Sequence, residues 1–190
     1  MTPAVILDFW FGPPGSPGYG RSRPEWFRKD AAFDADLRTR FGNVHAAAVA
    51  GRLAAWEDSA ASRLALIIVL DQFSRNLFRG VPASFACDGE ALRLARDMVA
   101  RAWDVTLLAV MRGFVYLPFE HSENLADQDD AVRLFGVLAR EPGAEGLLVW
   151  AEKHRDVIRR FGRFPHRNPI LGRASTPEEV EFLRQPGSSF

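Results

Sequence analysis

Arginines, histidines and their polar neighbours stand on otherwise apolar stretches in three separate parts of the chain, and these residues could do chemistry. A guanidinium group binds carboxylate or phosphate through two parallel hydrogen bonds, and histidines can line the floor of such a site. We therefore expect a polar cleft that binds a small anionic ligand. The candidate binding residues are Asp71, Arg75, Asn76, Arg79, His121, Gln128, His154, Arg163, Arg167 and Asn168.

His121 could also act as a general acid or base if a carboxylate lies beside it. A partly buried histidine next to a carboxylate titrates near neutral pH, which suits proton transfer. The sequence offers Asp71 and Glu123 as partners and leaves the choice between them open. It contains no Gly-X-Ser-X-Gly motif, and Ser74 and Ser122 have no recognisable base, so a covalent nucleophile is not indicated. Whether the protein is an enzyme is open at this point.

Four residues are weak candidates for a metal site: His121, Glu123, His154 and His166. None of them has the His-Glu-X-X-His spacing that places two ligands on one face of a helix. Convergence would therefore depend on tertiary structure alone. We expect neither a metal nor another cofactor.

The charge balance argues against two classes of partner. Acidic and basic residues number 24 each among 190, so attraction to nucleic acid or to an anionic membrane is not expected. Hydrophobic residues make up 47% of the chain, enough for one core, and we expect a single domain over residues 1–190. Within it, residues 12–24 should form a Gly/Pro-rich loop and residues 185–190 a frayed tail. The partner is a small anionic ligand or a protein, and the oligomeric state is open.

The sequence carries no sign of export or membrane insertion. The single cysteine, Cys87, cannot form an internal disulfide, which suits a reducing compartment. The N-terminus has no basic region and carries Asp8 within its apolar run, unlike a signal peptide. The longest apolar run, 64–70, is far shorter than the roughly 20 residues that a membrane span needs. We expect a cytoplasmic protein.

A helix of about 18 residues within the stretch 58–79 must position the first group of candidates. No glycine or proline occurs before residue 80 in this stretch, which favours a helix over a buried strand. At about 100° per residue, Asp71, Arg75 and Arg79 fall on one line. That line continues the line of Leu64 and Ile68, which we expect to be buried. The polar residues then form the wall of a cleft, and the alternative is an ordinary solvated ion pair.

Periodicity and capping residues predict further helices at 3–11, from Asp30 to a break at 42–43, and at 44–56, 88–102, up to 117, 119–138, 147–161 and 177–183. Asp30 and Asp88 are the expected N-caps of two helices. Thr176 and Glu179 should form a capping box on the last one. Pro118 should end one helix, because the residue before a proline avoids helical geometry.

Two of these helices should each turn a histidine toward the interior. In residues 119–138, His121 and Gln128 share a stripe with Leu125, Val132 and Phe135. In residues 147–161, His154 shares a stripe with Leu147, Trp150, Ile158 and Phe161. The short connection at 141–143 predicts that the two helices pack as antiparallel neighbours.

Five segments in order along the chain resemble the bacterial domain-of-unknown-function-924 family. They are ILDFWFG at 6–12, WFRKDAAFD at 26–34, LALIIVLDQFSRNLFRG at 64–80, FVYLPFEHSENLADQ at 114–128 and FGRFPHRNPILGRASTPEE at 161–179. The resemblance implies an all-α fold of the tetratricopeptide-like αα-superhelix type. This agrees with the predicted count of roughly eight to nine helices. It implies no activity.

The same polar residues also fit a structural interpretation. Asp71, Arg75, His121, Gln128, His154 and Arg167 could form a buried hydrogen-bonded network that fixes how the helices pack. Function would then lie in binding a protein or peptide along a superhelical groove. An Asp71→Ala variant should unfold under this interpretation, and should stay folded but lose its ligand under the cleft hypothesis.

Overall fold

The apolar run at 64–70 lies in one continuous helical rod that contains a π-helical segment. The rod consists of α3 (Ala60–Ile68), the π-segment (Val69–Phe73) and α4 (Ser74–Leu77). All residues from 63 to 74 are buried, so the predicted helix at the centre of the fold is confirmed. A π-helical turn holds more residues than an α-helical turn, so the side chains after it point away from the directions that regular phasing gives.

The structure, a computed structural model, describes residues 1–144 and 146–188, and within them it is all-α with eight helical rods and no strand. Besides the central rod these are α1 (Pro3–Phe11), α2 (Ala31–Val49), α5 (Asp88–Ala100), α6 (Ala109–Glu120), α7 (Leu125–Leu138), α8 (Leu147–Phe161) and α9 (Pro177–Leu183). The predicted helical class and helix count are confirmed for these residues. None of the described helices combines the length and apolar character needed to cross a membrane.

The N-terminal helix packs against the central rod through aromatic side chains. Trp10 is fully buried and its ring lies against Trp26, Phe73 and Phe114. Each such side chain contributes about 1.5–3 kcal/mol relative to an exposed position. In the predicted loop, Arg23 Nη1 donates to the carbonyl oxygens of Phe9 (2.8 Å) and Trp10 (3.1 Å), which satisfies the end of α1.

Helix α2 continues through the two residues at which a break was predicted. Gly42 and Asn43 are both helical, and the helix ends only at Val49. A glycine inside a helix costs only about 1 kcal/mol. Burial of Leu37 and Phe41 on the preceding turns outweighs that cost. The predicted cap at Asp30 is confirmed, since its side chain accepts hydrogen bonds from the N–H groups of Ala32 and Phe33.

Helix α6 also passes the proline that was predicted to end it. Pro118 lies in the last turn, and the N–H of His121 still donates to Leu117 O at 2.9 Å. A proline removes one helical hydrogen bond, and this loss is tolerated close to the helix end. The following helix begins only at Leu125, with Asn124 as its cap. His121 therefore caps α6, and its predicted place on the stripe of α7 is wrong.

The last helices follow most of the predicted pattern. Helices α7 and α8 pack against each other across the turn at 141–143, and the capping box of Thr176 is present. His154 is buried as predicted, whereas Trp150 is 51% exposed, contrary to its predicted inward position. Ser188 Oγ donates to Leu183 O at 3.1 Å, which places residue 188 against the end of α9. The end of the predicted tail, 189–190, lies outside the described residues.

Candidate functional site

A pocket of about 340 Å³ opens where the start of α5, the end of α6 and the segment after α8 meet. Its apolar walls come largely from Phe85, Leu92 and Pro118. The polar side chains that line it are Asp88, His121, Ser122, Glu123 and Arg167. Two of these, His121 and Arg167, belong to the set predicted for ligand binding.

Asp71 lies directly behind the pocket wall and holds His121. It sits in the π-segment and is 1% exposed. Its Oδ1 atom lies 2.7 Å from His121 Nδ1 and 3.0 Å from Arg75 Nη1, and Gln72 Nε2 donates to Oδ2 at 2.5 Å. Burial opposes ionisation of the carboxyl, but the charge of Arg75 and the contacts with His121 and Gln72 hold the pKa of Asp71 well below its usual range. Asp71 is therefore a carboxylate that accepts hydrogen bonds from His121 and Gln72 and forms an ion pair with Arg75.

His121 is the histidine among the titratable side chains that line the pocket. Burial and the nearby charge of Arg75 lower the pKa of His121 below 6.5, against the opposing effect of Asp71. The ring is therefore neutral near pH 7. Because Asp71 can only accept, Nδ1 carries the proton and Nε2 carries the lone pair. Nε2 makes no hydrogen bond within the described residues, and the side chain is 14% exposed.

Arg75 links Asp71 to the first residue of α5. Its guanidinium donates to both oxygens of Asp88, at 3.0 and 3.2 Å, and to the backbone oxygen of Asp71 at 2.9 Å. The Asp88 side chain was predicted to cap α5, but this prediction is wrong. Cys87 occupies the cap position without a side-chain bond. The carboxylate of Asp88 is instead engaged by two arginines, close to the positive end of the helix dipole.

Arg167 is the second arginine on Asp88, and it is incompletely satisfied. Its Nη1 donates to Asp88 Oδ2 at 3.3 Å, and its guanidinium carbon lies 4.5 Å from the ring centre of Phe85 and 4.6 Å from that of Phe164. Its buried Nε has no hydrogen-bond partner within the described residues, although the side chain is only 8% exposed. Burial, together with the charge of Arg75, lowers the pKa of Arg167 to about 10. Its positive charge is thus only partly compensated.

Glu123 forms its hydrogen bonds with the segment after α8 and not with His121. Arg173 donates to both of its oxygens, at 2.6 and 2.9 Å, and the N–H of Phe164 donates to Oε1 at 2.7 Å. Burial opposes ionisation, but these bonds lower the pKa of Glu123. Of the two carboxylates that the sequence offered as partners for His121, the structure selects Asp71.

The four weak metal candidates do not form a metal site in the residues that the structure describes. No group of three or more His, Cys, Asp or Glu side chains is arranged there to hold an ion. His121 is bound to Asp71, and Glu123 is bound to Arg173. His154 lies beside Glu120, with Nδ1 and Oε1 3.0 Å apart.

Asn76 and Arg79 lie on a different side of the rod from Asp71. Asn76 Nδ2 donates to Asp34 Oδ1 at 2.7 Å, and Arg79 donates to both oxygens of Asp34, at 2.9 and 3.0 Å. The predicted line holds for Asp71 and Arg75, which pair across one turn, but is wrong for Arg79, because α4 ends at Leu77 and Arg79 lies in the turn that follows. Asn76 and Arg79 tie α4 and its following turn to α2.

Arg163 and Asn168 also lie outside the pocket lining. Arg163 donates to both oxygens of Glu179, at 2.7 and 2.8 Å, and Asn168 Nδ2 donates to Glu179 Oε2 at 3.2 Å. The hydrogen bond from Arg163 outweighs burial and lowers the pKa of Glu179 to about 2. Both residues therefore fasten α9 to the segment after α8.

Gln128 and His154 support the end of α6, on which His121 stands. Gln128 is fully buried, and its Nε2 donates to the carbonyl oxygens of Glu120 (2.7 Å) and Ser122 (2.6 Å). The ring of His154 lies 6.5 Å from that of His121. Both predicted residues thus help to position His121 without lining the pocket.

Four residues of the site were missed in the sequence: Phe85, Asp88, Phe164 and Arg173. The position of Asp88 at the start of a helix was visible in the sequence, but it predicted a helix cap and not a place in the pocket. The contact between Asp88 and Arg167 joins residues 79 positions apart, and no local pattern encodes such a pair.

Comparison with known proteins agrees with this architecture. The model of a family described as "Bacterial protein of unknown function (DUF924)" matches residues 6–187. The chain is also similar to the solved structure of the protein of unknown function ATU0120 from Agrobacterium tumefaciens. The two are 43% identical, with a TM-score of 0.83 over 95% of this chain and 96% of that chain. No curated protein matches it. The chain thus belongs to the DUF924 family of bacterial proteins of unknown function.

Proposed function

We propose that the pocket binds a small molecule carrying a carboxylate or phosphate group, with Arg167 as the anchor. The observation that carries this proposal is the buried guanidinium in the pocket wall whose Nε lacks a partner in the described part of the chain. A buried polar group without a hydrogen bond costs about 1–3 kcal/mol. A ligand oxygen at this position would remove that cost and add a charge-assisted bond.

The distribution of charge around the pocket supports an anionic ligand. Asp88 and Glu123 are the two carboxylates in the lining, and each has a bidentate arginine of its own, Arg75 and Arg173 respectively. Their repulsion of an anion is therefore largely neutralised. Arg167 has only the 3.3 Å contact with Asp88, so it is the cation with most to gain from a ligand.

The pocket volume limits the ligand to a small molecule. About 340 Å³ lies at the lower end of the range for ligand sites. The planar guanidinium is held between the rings of Phe85 and Phe164, so its orientation is fixed before a ligand binds. Such preorganisation reduces the entropy lost on binding.

A tetratricopeptide-like superhelix with a protein-binding groove is the second candidate. It is supported by the consecutive packing of α6 on α7 and of α7 on α8. Polar contacts between separate elements fit a scaffold as well, such as the hydrogen bond from Asn76 and the ion pair from Arg79 to Asp34. This candidate gives no role to the unpaired, buried Nε of Arg167, and the small-ligand proposal is therefore preferred.

Isothermal titration with inorganic phosphate and with adipate tests the proposal. The Arg167→Met variant keeps an apolar side chain between the two rings but removes the donor, and Asp88 retains Arg75 as its partner. Losing a charge-assisted hydrogen bond should weaken binding about 10- to 100-fold. The matched control is Arg163→Met, which removes a tail arginine outside the pocket and should bind like wild type. Absence of binding to wild type, or equal binding by both variants, would contradict the proposal.

A further inference from the structure

We propose that the pocket is the active site of a hydrolase in which His121 is the general base, acting on a small ester that carries a carboxylate or phosphate. This inference rests on the proposed function, since the anion is the part of the ester that Arg167 holds. It adds a reaction to that site, and the reaction needs no residue beyond those already placed around the pocket.

The hydrogen bond between Asp71 and His121 prepares the histidine for this role. Nδ1 lies 2.7 Å from the Asp71 carboxylate and donates its proton to it. The lone pair is therefore on Nε2, which has no protein partner in the described residues. Asp71 is a positioning residue, because it acts through the imidazole and is almost completely buried. An orienting carboxylate also stabilises the imidazolium that forms during proton transfer.

His121 can take a proton from water. Its ring is neutral, so the lone pair of Nε2 is available to accept a proton. His121 can assist the attack of water on an ester carbonyl, because the water proton becomes acidic as the new C–O bond forms.

The nearby hydroxyl and thiol groups do not compete as nucleophiles. Ser122 lines the pocket, but its hydroxyl donates to Asp127 Oδ2 at 2.7 Å and makes no hydrogen bond with His121 in the part of the chain described. Burial raises the pKa of the Cys87 thiol, so little thiolate is present. Direct attack by water is the route that remains.

One proton moves from water to His121 and then from His121 to the leaving oxygen. His121 Nε2 takes a proton from water while the water oxygen bonds to the ester carbonyl carbon. The tetrahedral intermediate collapses as the bond between this carbon and the leaving oxygen breaks. The imidazolium returns its proton from Nε2 to that leaving oxygen, which gives an acid and an alcohol and restores neutral His121.

The reaction should depend on pH through His121. The titratable and charged groups around it are Asp71, Arg75, Asp88, Glu123, His154, His166 and Arg167. Of these, Arg75 disfavours the imidazolium and Asp71 and Asp88 favour it. The neutral ring is the active form, so the rate should rise with pH and level off near neutrality.

A matched pair of chromogenic esters tests the proposal. Mono-para-nitrophenyl adipate and para-nitrophenyl hexanoate have acyl chains of equal length and differ only in the terminal carboxylate. We expect wild type to hydrolyse the adipate ester with a kcat/KM about tenfold or more above that for the hexanoate ester. His121→Gln should lower kcat about 100-fold or more, as expected for loss of a general base. Arg167→Met should raise KM for the adipate ester alone.

A control variant and a binding measurement make the outcome decisive. His45→Gln removes a histidine that is bonded to Ser74 outside the pocket, and it should keep wild-type activity. If wild type binds adipate but hydrolyses its ester no faster than His121→Gln, the hydrolase is excluded and the binding function stands. If neither adipate nor inorganic phosphate binds, the proposed function itself fails.

Histidine ¹⁵N NMR of wild type gives a second readout that does not depend on any variant folding. We expect a protonated Nδ1 and an unprotonated Nε2 for His121 near neutral pH. In Asp71→Asn the amide can donate to Nδ1, which would move the proton to Nε2 and abolish hydrolysis. A wild-type ring protonated at Nε2 would overturn the proposal.

Discussion

His121 Nδ1 lies 2.7 Å from Asp71 Oδ1, and this contact joins the end of α6 to the π-segment across 50 positions of sequence. It combines a buried carboxylate with an imidazole that faces a pocket. The same carboxylate also receives Arg75, so one side chain of the π-segment both holds the helices together and orients the histidine.

Replacing Asp71 by alanine should lower the free energy of unfolding by about 3–5 kcal/mol, because Arg75 then loses a buried partner. Urea denaturation measures this loss. The same substitution was expected from the sequence to distinguish a cleft from a structural network. The structure removes that distinction, since Asp71 is buried in the helix packing and also contacts a pocket residue. A stability equal to that of wild type would contradict the arrangement described.

Asn76→Ala should destabilise the protein without affecting the pocket. The variant loses the 2.7 Å bond to Asp34 between α4 and α2, and a hydrogen bond to a charged group is worth about 1.5–3 kcal/mol. Urea denaturation should show this loss, while titration with adipate should give the wild-type affinity. A loss of adipate binding in a folded Asn76→Ala protein would place this residue in the site and refute the assignment.

Thr176→Ala should destabilise α9 by about 1 kcal/mol. Its hydroxyl accepts from the N–H of Glu179, and it is the N-cap half of a complete capping box. Thr176→Ser keeps the acceptor and serves as the control. Thermal unfolding should rank wild type and Thr176→Ser together above Thr176→Ala. An equal melting temperature for all three would show that α9 unfolds separately from the rest of the chain.

Stability should fall as the pH drops from about 6.5 to about 4, in part because of His166. Burial, together with the charge of Arg167, lowers its pKa from 6.5 to about 4 in the folded state. The unfolded chain therefore binds a proton before the folded chain does, so the contribution is present above about pH 6.5 and is lost as the pH falls. Urea denaturation over this window should show a shallower decline for His166→Gln than for wild type. An equal slope would contradict the lowered pKa.

The parts of this structure that were predictable are those that local chemistry specifies. The apolar run ending at Leu70 could only be central, and the caps at Asp30 and Thr176 act within a single turn. The burial of His154 followed from its helical phase. Each of these features depends on residues a few positions apart, which a single sequence displays.

What could not be predicted depends on tertiary contacts or on where a helix ends. Arg79 was misplaced because α4 ends at Leu77, so Arg79 lies in a turn and does not continue the phase of the helix. Asp88 was assigned to a cap because its pairing with Arg167 lies 79 positions away. The pocket itself arises where α5, α6 and the segment after α8 meet, and that meeting is a property of the whole fold.

A crystal structure of the wild-type protein soaked with adipate tests the central claim most directly. The account predicts one carboxylate of adipate within hydrogen-bond distance of Arg167 Nε, with the chain of the ligand extending toward His121. Adipate bound elsewhere, with the Arg167 donor still unpaired or bonded to solvent alone at saturating ligand, would contradict it.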